Sequence, residues 1–268
     1  MKRLDYSEMV LDAAMKRTVP KYGPYRVEIK IARMNREDLL AKVLKGDEVN
    51  VSVVATQPSW EIQLLPIYVP PDMGLSNYRI ALTTTEGQKR IDAVRNLDQF
   101  RDLKVGVGAA WSSRRVMEIA GFEVVRADNF DALLELLLNG KVDYFPRGLN
   151  EVFVEFDDRQ ATSPGLQVEK NMVLNFPLPG YVFVSPAHPR LHKRLSEGLE
   201  SMVRDGTLLK MFLQYHAEML KRADLCSRRV FRIDNPNLHN PKPLQRRALW
   251  FDPFSPGNGL CQKPIKAN

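Results

Sequence analysis

The stretch from Leu103 to Gly148 constrains the fold more than any other part of the chain, because short apolar segments alternate with helical ones along it. In order, these segments are strand 103–107, a turn of small residues, a helix start at Trp111-Ser112-Ser113, strand 122–126, helix 130–138 and, after Gly140, strand 142–145. Such alternation is typical of an α/β fold with a parallel sheet and helices on its faces. Loops at the carboxyl ends of parallel strands commonly bind ligands. The pattern therefore predicts a ligand-binding site more directly than it predicts an enzymatic reaction.

A similar arrangement occurs nearer the N-terminus. Tyr25 to Ile31 alternates like a strand, Arg36 to Leu44 has an apolar helical face that Gly46 ends, and Val49 to Val54 is a second strand. The offset that aligns Leu39-Leu40 with Leu133-Leu134 also aligns Gly46 with Gly140. Two copies predict two α/β lobes with a ligand cleft between them. The alternative is a chance similarity between two ordinary α/β units.

Length and hydrophobicity fit this interpretation. The chain has 268 residues, of which 44% are hydrophobic, enough for one large domain or for two modest domains that each bury a core. No apolar run approaches the roughly eighteen residues that a membrane span needs, so we expect a soluble globular protein. Met1-Lys2-Arg3 leads into a polar helical stretch and not into the apolar core of a signal peptide. The protein is therefore expected either to stay in the cytoplasm or to have an export signal outside this sequence.

The net charge of +7 is compatible with an anionic partner. The basic residues are nevertheless scattered as pairs, such as Arg114-Arg115 and Arg228-Arg229, with acidic residues between them. Since no recognition helix or stacking motif is visible, a solvated basic surface is favoured over nucleic-acid binding. Positive potential can still favour an anionic ligand.

Motifs for catalysis, cofactors and metals are weak. Gly106-x-Gly108 lacks the third glycine of a dinucleotide fingerprint, because Trp111 stands at that place. No nucleophile and base can be paired from their spacing, so we expect neither an enzyme nor a cofactor. Cys226 and Cys261 lack the spacing of a zinc site. They can form a disulfide in an oxidising compartment or stay thiols in a reducing one, and the sequence leaves both open.

Two loops carry the candidate ligand-binding residues. After strand 49–54, Thr56, Gln57 and Ser59 supply hydrogen-bonding groups and Trp60 supplies a flat apolar face, although an ordinary turn is an equal alternative. In the second loop, the backbone N–H groups and hydroxyls of Ser112 and Ser113 can bind an oxygen atom of a ligand. The Arg147 guanidinium is a further candidate group. Trp60, Trp111 and Tyr144 are candidate apolar walls. The alternative for Arg147 is an ordinary ion pair.

Taken together, several segments resemble the periplasmic solute-binding proteins of the amino-acid type, family 3, which have the two-lobed type II fold. The matching pieces, spread over roughly residues 4 to 222, are Leu39-Leu40 through Gly46, Leu103 to Val107, Leu133-Leu134 through Gly140-Lys141-Val142-Asp143, and Glu197-Gly198-Leu199 with Asp205-Gly206-Thr207-Leu208 and Tyr215. Each piece is weak alone, and the set is specific.

The resemblance implies a domain organisation and a location. Lobe 1 would comprise residues 1–82 and 183–230, lobe 2 would be an insertion of residues 84–181, and residues 231–268 would form an extended tail that we expect to pack on lobe 1. The first strand of lobe 1 and the signal peptide of a periplasmic protein would be missing from this sequence. We expect a monomer that delivers a small-molecule solute to an ABC permease or a membrane sensor.

Two departures from the family concern the ligand. Relatives that bind amino acids hold the ligand carboxylate with an arginine in the loop that here reads Thr56, Gln57, Ser59 and Trp60, and they hold the ammonium group with an acid where Arg147 stands. Each lost charge-assisted bond removes about 1.5 to 3 kcal/mol. A standard α-amino acid is therefore a poor candidate, and we expect a small polar or anionic solute.

Two other functions remain open from the sequence. The first is a relative that has lost transport and acts through a protein partner as a sensory or envelope-associated component. The second is an enzyme built on the same fold, for which no residue gives positive support.

Overall fold

The computed structural model describes residues 5–30, 34–255 and 260–261. The helices are α1 (Tyr6–Arg17), α2 (Val19–Tyr22), α3 (Arg36–Lys45), α4 (Pro58–Gln63), α5 (Thr85–Ala93), α6 (Leu97–Arg101), α7 (Ser112–Ile119), α8 (Phe130–Leu138), α9 (Leu149–Arg159), α10 (Pro189–Arg204) and α11 (Thr207–Ala223). The strands are β1 (Val51–Ala55), β2 (Leu65–Ile67), β3 (Tyr78–Thr84), β4 (Val105–Gly108), β5 (Val124–Ala127), β6 (Tyr144–Gly148), β7 (Leu166–Val168), β8 (Met172–Asn175), β9 (Gly180–Val184) and β10 (Arg229–Arg232). This mixture of helices and strands confirms the predicted α/β class.

The chain forms two compact units. Unit 1 comprises the described residues of 1–74, 179–216 and 237–251, and unit 2 comprises those of 75–178, 217–236 and 252–268.

Unit 1 contains an antiparallel sheet in the order β1-β9-β2. Its hydrophobic core includes Val43 of α3, Trp60 and Leu64 at α4, and Tyr181 and Phe183 of β9. Local signals explain α3: the Asn35 side chain accepts a hydrogen bond from the backbone N–H of Asp38 at the start of the helix. At the end of α3, Gly46 adopts the left-handed conformation with a φ of 74°.

Unit 2 contains a mixed sheet in the order β10-β8-β3-β6-β4-β5, with β7 also paired to β3. Strands β6, β4 and β5 are parallel, as the alternating pattern predicts, whereas β3 runs antiparallel to β6. The helix between β5 and β6 is α8, whose start is capped by the Asn129 side chain and after which Gly140 has a φ of 66°. The sequence predicts the bounds of α8 correctly because these signals are local.

The strand predicted for Tyr25 to Ile31 is not formed by residues 25–30, and Ile31 lies outside the described residues. Val27 and Ile29, its alternating apolar residues, are 55% and 39% exposed. Among the described strands, β1 pairs only with β9, so this segment lacks the hydrogen-bonding neighbour that a strand requires.

The unit boundaries also differ from the predicted lobes. Strand β3 lies between β6 and β8, which places residues 75–82 in unit 2 and not in the first lobe. Strand β10 pairs with β8, so residues 217–230 also belong to unit 2. The predicted tail is divided, because residues 237–251 belong to unit 1 whereas Cys261 forms a disulfide with Cys226 in unit 2. Strand pairing over long sequence separations decides these boundaries.

Candidate functional site

The loop after β1 presents two accessible candidate residues in unit 1. Gln57 is half-buried at the start of α4, and Ser59 is exposed in its first turn. Thr56 is buried, its backbone N–H donates to the carbonyl oxygen of Pro179 at 2.8 Å, and its hydroxyl donates to the Glu61 carboxylate. Thr56 therefore stabilises the turn, and the candidate side chains of this loop that have solvent-accessible surface are Gln57 and Ser59.

Trp60 does not form an accessible wall, contrary to the prediction. Its side chain is 1% exposed in the core of unit 1, where it packs edge-on against Phe183 with ring centroids 5.3 Å apart. The Arg36 guanidinium covers the ring at 5.3 Å. Pro58 occupies the first position of α4, and Trp60 is on the buried side of this short helix.

In unit 2, the turn between β4 and α7 exposes part of Trp111 and Ser112. The Trp111 ring lies so close to Gly108 that a Cβ atom there would lie 2.5 Å from the ring. Glycine is therefore needed at the end of β4 for the indole to lie over the strand. Ser113, the third candidate here, is buried, so it cannot contact a solute without a change in the turn.

Arg147 lies at the end of β6, and its guanidinium packs over the Trp111 ring at 4.0 Å. Glu155 binds it in a bidentate salt bridge, with Nε to Oε2 at 2.6 Å and Nη2 to Oε1 at 2.5 Å. Glu151 lies 3.3 Å from the same Nη2. The structure thus gives Arg147 the ion pair that the sequence left as the alternative, and its charge is already neutralised by α9.

Tyr144 is also enclosed, contrary to its predicted role as a wall. Its side chain is fully buried, and its ring stacks on Phe100 with centroids 4.9 Å apart. The hydroxyl has no hydrogen-bond partner among the described residues, and burial raises its pKa well above the ordinary value. Tyr144 therefore belongs to the core of unit 2.

One residue with unusual electrostatics was missed from the sequence. Arg79 of β3 is 8% exposed, and its guanidinium lies 4.9 Å from the centroid of the Phe176 ring. Its Nε is buried and donates to no acceptor among the described residues. Burial lowers its pKa to about 10, so it remains charged at neutral pH. The only signal in the sequence was a cation within the apolar alternation of Tyr78, Ile80 and Leu82.

Among residues 5–30, 34–255 and 260–261, no group of three or more His, Cys, Asp or Glu side chains could hold a metal ion. None of the described helices is both long enough and apolar enough to cross a membrane.

These two units have the fold of the substrate-binding proteins of amino-acid ABC transporters, a mixed α/β fold of two lobes. No protein-family model and no curated protein sequence matches the chain. The likeness is therefore one of structure, as the sequence resemblance implied.

Three solved structures illustrate it. The probable amino-acid ABC transporter extracellular-binding protein ytmK from Bacillus subtilis matches with a TM-score of 0.57 and 16% identity, over 79% of this chain and 87% of that one. An ancestral arginine-binding protein bound to arginine matches with a TM-score of 0.54 and 19% identity, over 80% and 88% of the two chains. An amino acid ABC transporter substrate-binding protein from Streptococcus pneumoniae, bound to L-arginine, matches with a TM-score of 0.51 and 12% identity, over 79% and 82%.

Proposed function

We propose that this protein is an extracytoplasmic solute-binding protein that serves an ABC-type transporter. The observation that carries the proposal is the shared fold, which extends over about four fifths of this chain in several amino-acid-binding proteins. The proposal includes a periplasmic location, a monomeric protein and a permease that receives the solute. It assigns no catalytic activity to the chain.

The proposed solute is small and polar or anionic. In support, the loop after β1 has an amide at Gln57 and a hydroxyl at Ser59. In the amino-acid-binding members of the family that the sequence resembles, an arginine in this loop holds the ligand carboxylate. In unit 2, the accessible part of Trp111 and the half-buried Ser112 supply an apolar face and a hydroxyl. We retain these four residues as the predicted ligand-contacting set.

A thermal-shift screen tests the proposal on the chain as it stands. The panel consists of amino acids, organic acids and polyamines, with potassium chloride at matched ionic strength as the control. A solute present at about a hundred times its Kd stabilises the folded state by about 2.7 kcal/mol. For a protein of this size, that corresponds to a rise in Tm of about 5 °C or more.

The expected result is a rise in Tm with a small subset of chemically related compounds. Substituting Gln57→Ala and Trp111→Ala should then weaken binding without a matching loss of stability, because both side chains are partly accessible. A panel without any hit would contradict the proposal and would favour a relative that acts through a protein partner.

A further inference from the structure

We propose that residues 237–251 form a strap that restrains the movement of unit 1 relative to unit 2, and that the Cys226–Cys261 disulfide fastens this strap. Movement between the domains of one chain is the default expectation, so a covalent restraint on it affects what the protein can do. The inference goes beyond the proposed function, and its test needs no solute.

The first step is the path of the chain near its C-terminal end. Unit 2 includes residues 217–236 and the described residues of 252–268, whereas the strap between them belongs to unit 1. The chain therefore leaves unit 2 before the strap and returns to unit 2 after it. The strap is thus connected to the other unit at both of its ends.

The second step is the attachment of the strap to unit 1. The Arg246 guanidinium donates to both carboxylate oxygens of Glu200 in α10, at 2.8 and 2.9 Å. Trp250 packs against the hydrophobic core of this unit. Phe251 is buried, and its backbone N–H donates to the carbonyl oxygen of Met73 at 2.8 Å. Ionic, apolar and backbone contacts therefore hold the strap on unit 1.

The third step is the attachment of the flanking segments to unit 2. Before the strap, β10 pairs with β8 in the sheet of this unit. After the strap, the Phe254 ring lies 6.4 Å from the Tyr78 ring, measured between centroids, and Cys261 forms the disulfide with Cys226. The disulfide closes residues 226–261 into a covalent loop that contains the strap. A short tether keeps the parts that it joins close together, and a longer flexible tether does so less well.

The disulfide is what makes the second connection permanent. Without it, the segment after the strap would be held to unit 2 by noncovalent contacts such as that between Phe254 and Tyr78. Both cysteines are partly accessible, so a dithiol reagent can reach the bond. One thiolate of the reagent attacks a sulfur to form a mixed disulfide, and its second thiolate displaces the protein sulfur. Two electrons and two protons are transferred, which leaves Cys226 and Cys261 as thiols and the reagent as a cyclic disulfide.

Single-molecule energy transfer between the units tests the strap. Fluorophores are attached through non-canonical amino acids at position 62 in unit 1 and position 154 in unit 2, because the side chains of Ile62 and Val154 are 67% and 62% exposed. The solute-free protein is measured with the disulfide intact, and again after reduction and alkylation of the thiols. We expect a broader distribution of distances after reduction. The variant with Cys226→Ser and Cys261→Ser should show the same broad distribution with and without reductant.

An insertion separates the strap from a local effect of the disulfide on unit 2. Ten Gly and Ser residues between Phe251 and Asp252 add a flexible span of about 17 Å and leave both cysteines in place. With its disulfide intact, this variant should show the broad distribution of the reduced protein. The matched control carries the same ten residues after Asn268, outside the closed loop, and should keep the narrow distribution of the wild type.

Circular dichroism confirms beforehand that each protein is folded at the temperature of the measurement. Equal distributions in the oxidised and reduced wild type would overturn the proposal. A narrow distribution in the variant with the insertion at Phe251 would also overturn it, because the disulfide would then act only within unit 2. This second result can be obtained even if the reduced protein unfolds, and neither result bears on the proposed binding of a solute.

Discussion

Replacing Arg147 by methionine is expected to destabilise the protein strongly, because Glu155 would lose both of its hydrogen bonds to the guanidinium. The side chains of Arg147 and Glu155 are 10% and 23% exposed, so the pair is largely shielded from water. Methionine retains an apolar chain against Trp111 and leaves the Glu155 charge without its partner. The Arg147→Met variant therefore removes the ion pair and keeps the apolar contact with Trp111.

The structure sets the expected magnitude. Two charge-assisted hydrogen bonds at 2.6 and 2.5 Å are worth about 1.5 to 3 kcal/mol each when fully buried. Breaking a buried pair on one side costs about 3 to 5 kcal/mol, and the partial exposure of Glu155 favours the lower end. We expect a loss of about 3 kcal/mol for Arg147→Met. For Glu155→Gln we expect about 2 kcal/mol, because Glu151 still lies 3.3 Å from the guanidinium.

Urea unfolding of the wild type, the two single variants and the double variant gives the coupling energy of the pair. Circular dichroism and tryptophan fluorescence should be followed together, because two units need not unfold in one transition. We expect a coupling of about 2 kcal/mol with unchanged m values. A coupling below about 0.5 kcal/mol, as in exposed ion pairs, would refute the reasoning. If Arg147→Met also binds the solute more weakly under conditions in which the variant is fully folded, this would support the predicted role of Arg147 in solute binding.

Three further predictions concern other parts of the chain. Gly198→Ala in α10 should destabilise by about 1 to 3 kcal/mol in urea, although alanine normally favours helices, because its Cβ would overlap the carbonyl oxygen of Ala14 in α1; an increase in stability would contradict this packing. His216 is buried among aromatic rings, and burial lowers its pKa to about 4. Since the unfolded state takes up this proton from about pH 6.5 downward, stability should fall by up to about 3 kcal/mol between pH 6.5 and 4, and His216→Leu should flatten this part of the pH profile. Reducing the Cys226–Cys261 disulfide, whose cysteines are 35 residues apart in sequence, should lower the free energy of unfolding by about 3 to 4 kcal/mol. A wild-type Tm that reductant leaves unchanged would disprove this. The variant with both cysteines replaced by serine is the control, because reductant should not change its Tm.

The sequence was sufficient for elements whose signals are local. Helix α8 follows from an asparagine cap, a run of leucines and a glycine after its end, all within about a dozen residues. The same is true of α3, which lies between the Asn35 cap and Gly46. The order of strands and helices from Leu103 to Gly148 also follows, although strand limits moved by two residues or so, and it leads to the correct fold class.

The binding residues were harder to predict, because residue type does not reveal which way a side chain faces. Trp60 and Tyr144 have the chemistry of ligand walls, and both are enclosed in the cores of their units. Arg147 was predicted to bind the ligand, with an ordinary ion pair as the alternative, and α9 supplies a carboxylate partner from eight residues further along the chain. For Arg79, the sequence shows only a charged residue in an apolar strand.

By itself, the sequence determined the local elements, the α/β class and the resemblance to a two-lobed binding fold, since caps, glycines and apolar periodicity act over one or two turns of backbone. Tertiary structure alone decided that β3 joins the sheet of unit 2, that Cys226 forms a disulfide with Cys261, and that Arg147 is paired with Glu155. The physical reason is that strand pairing and charge neutralisation depend on distances between residues far apart in sequence, and only the folded chain sets those distances.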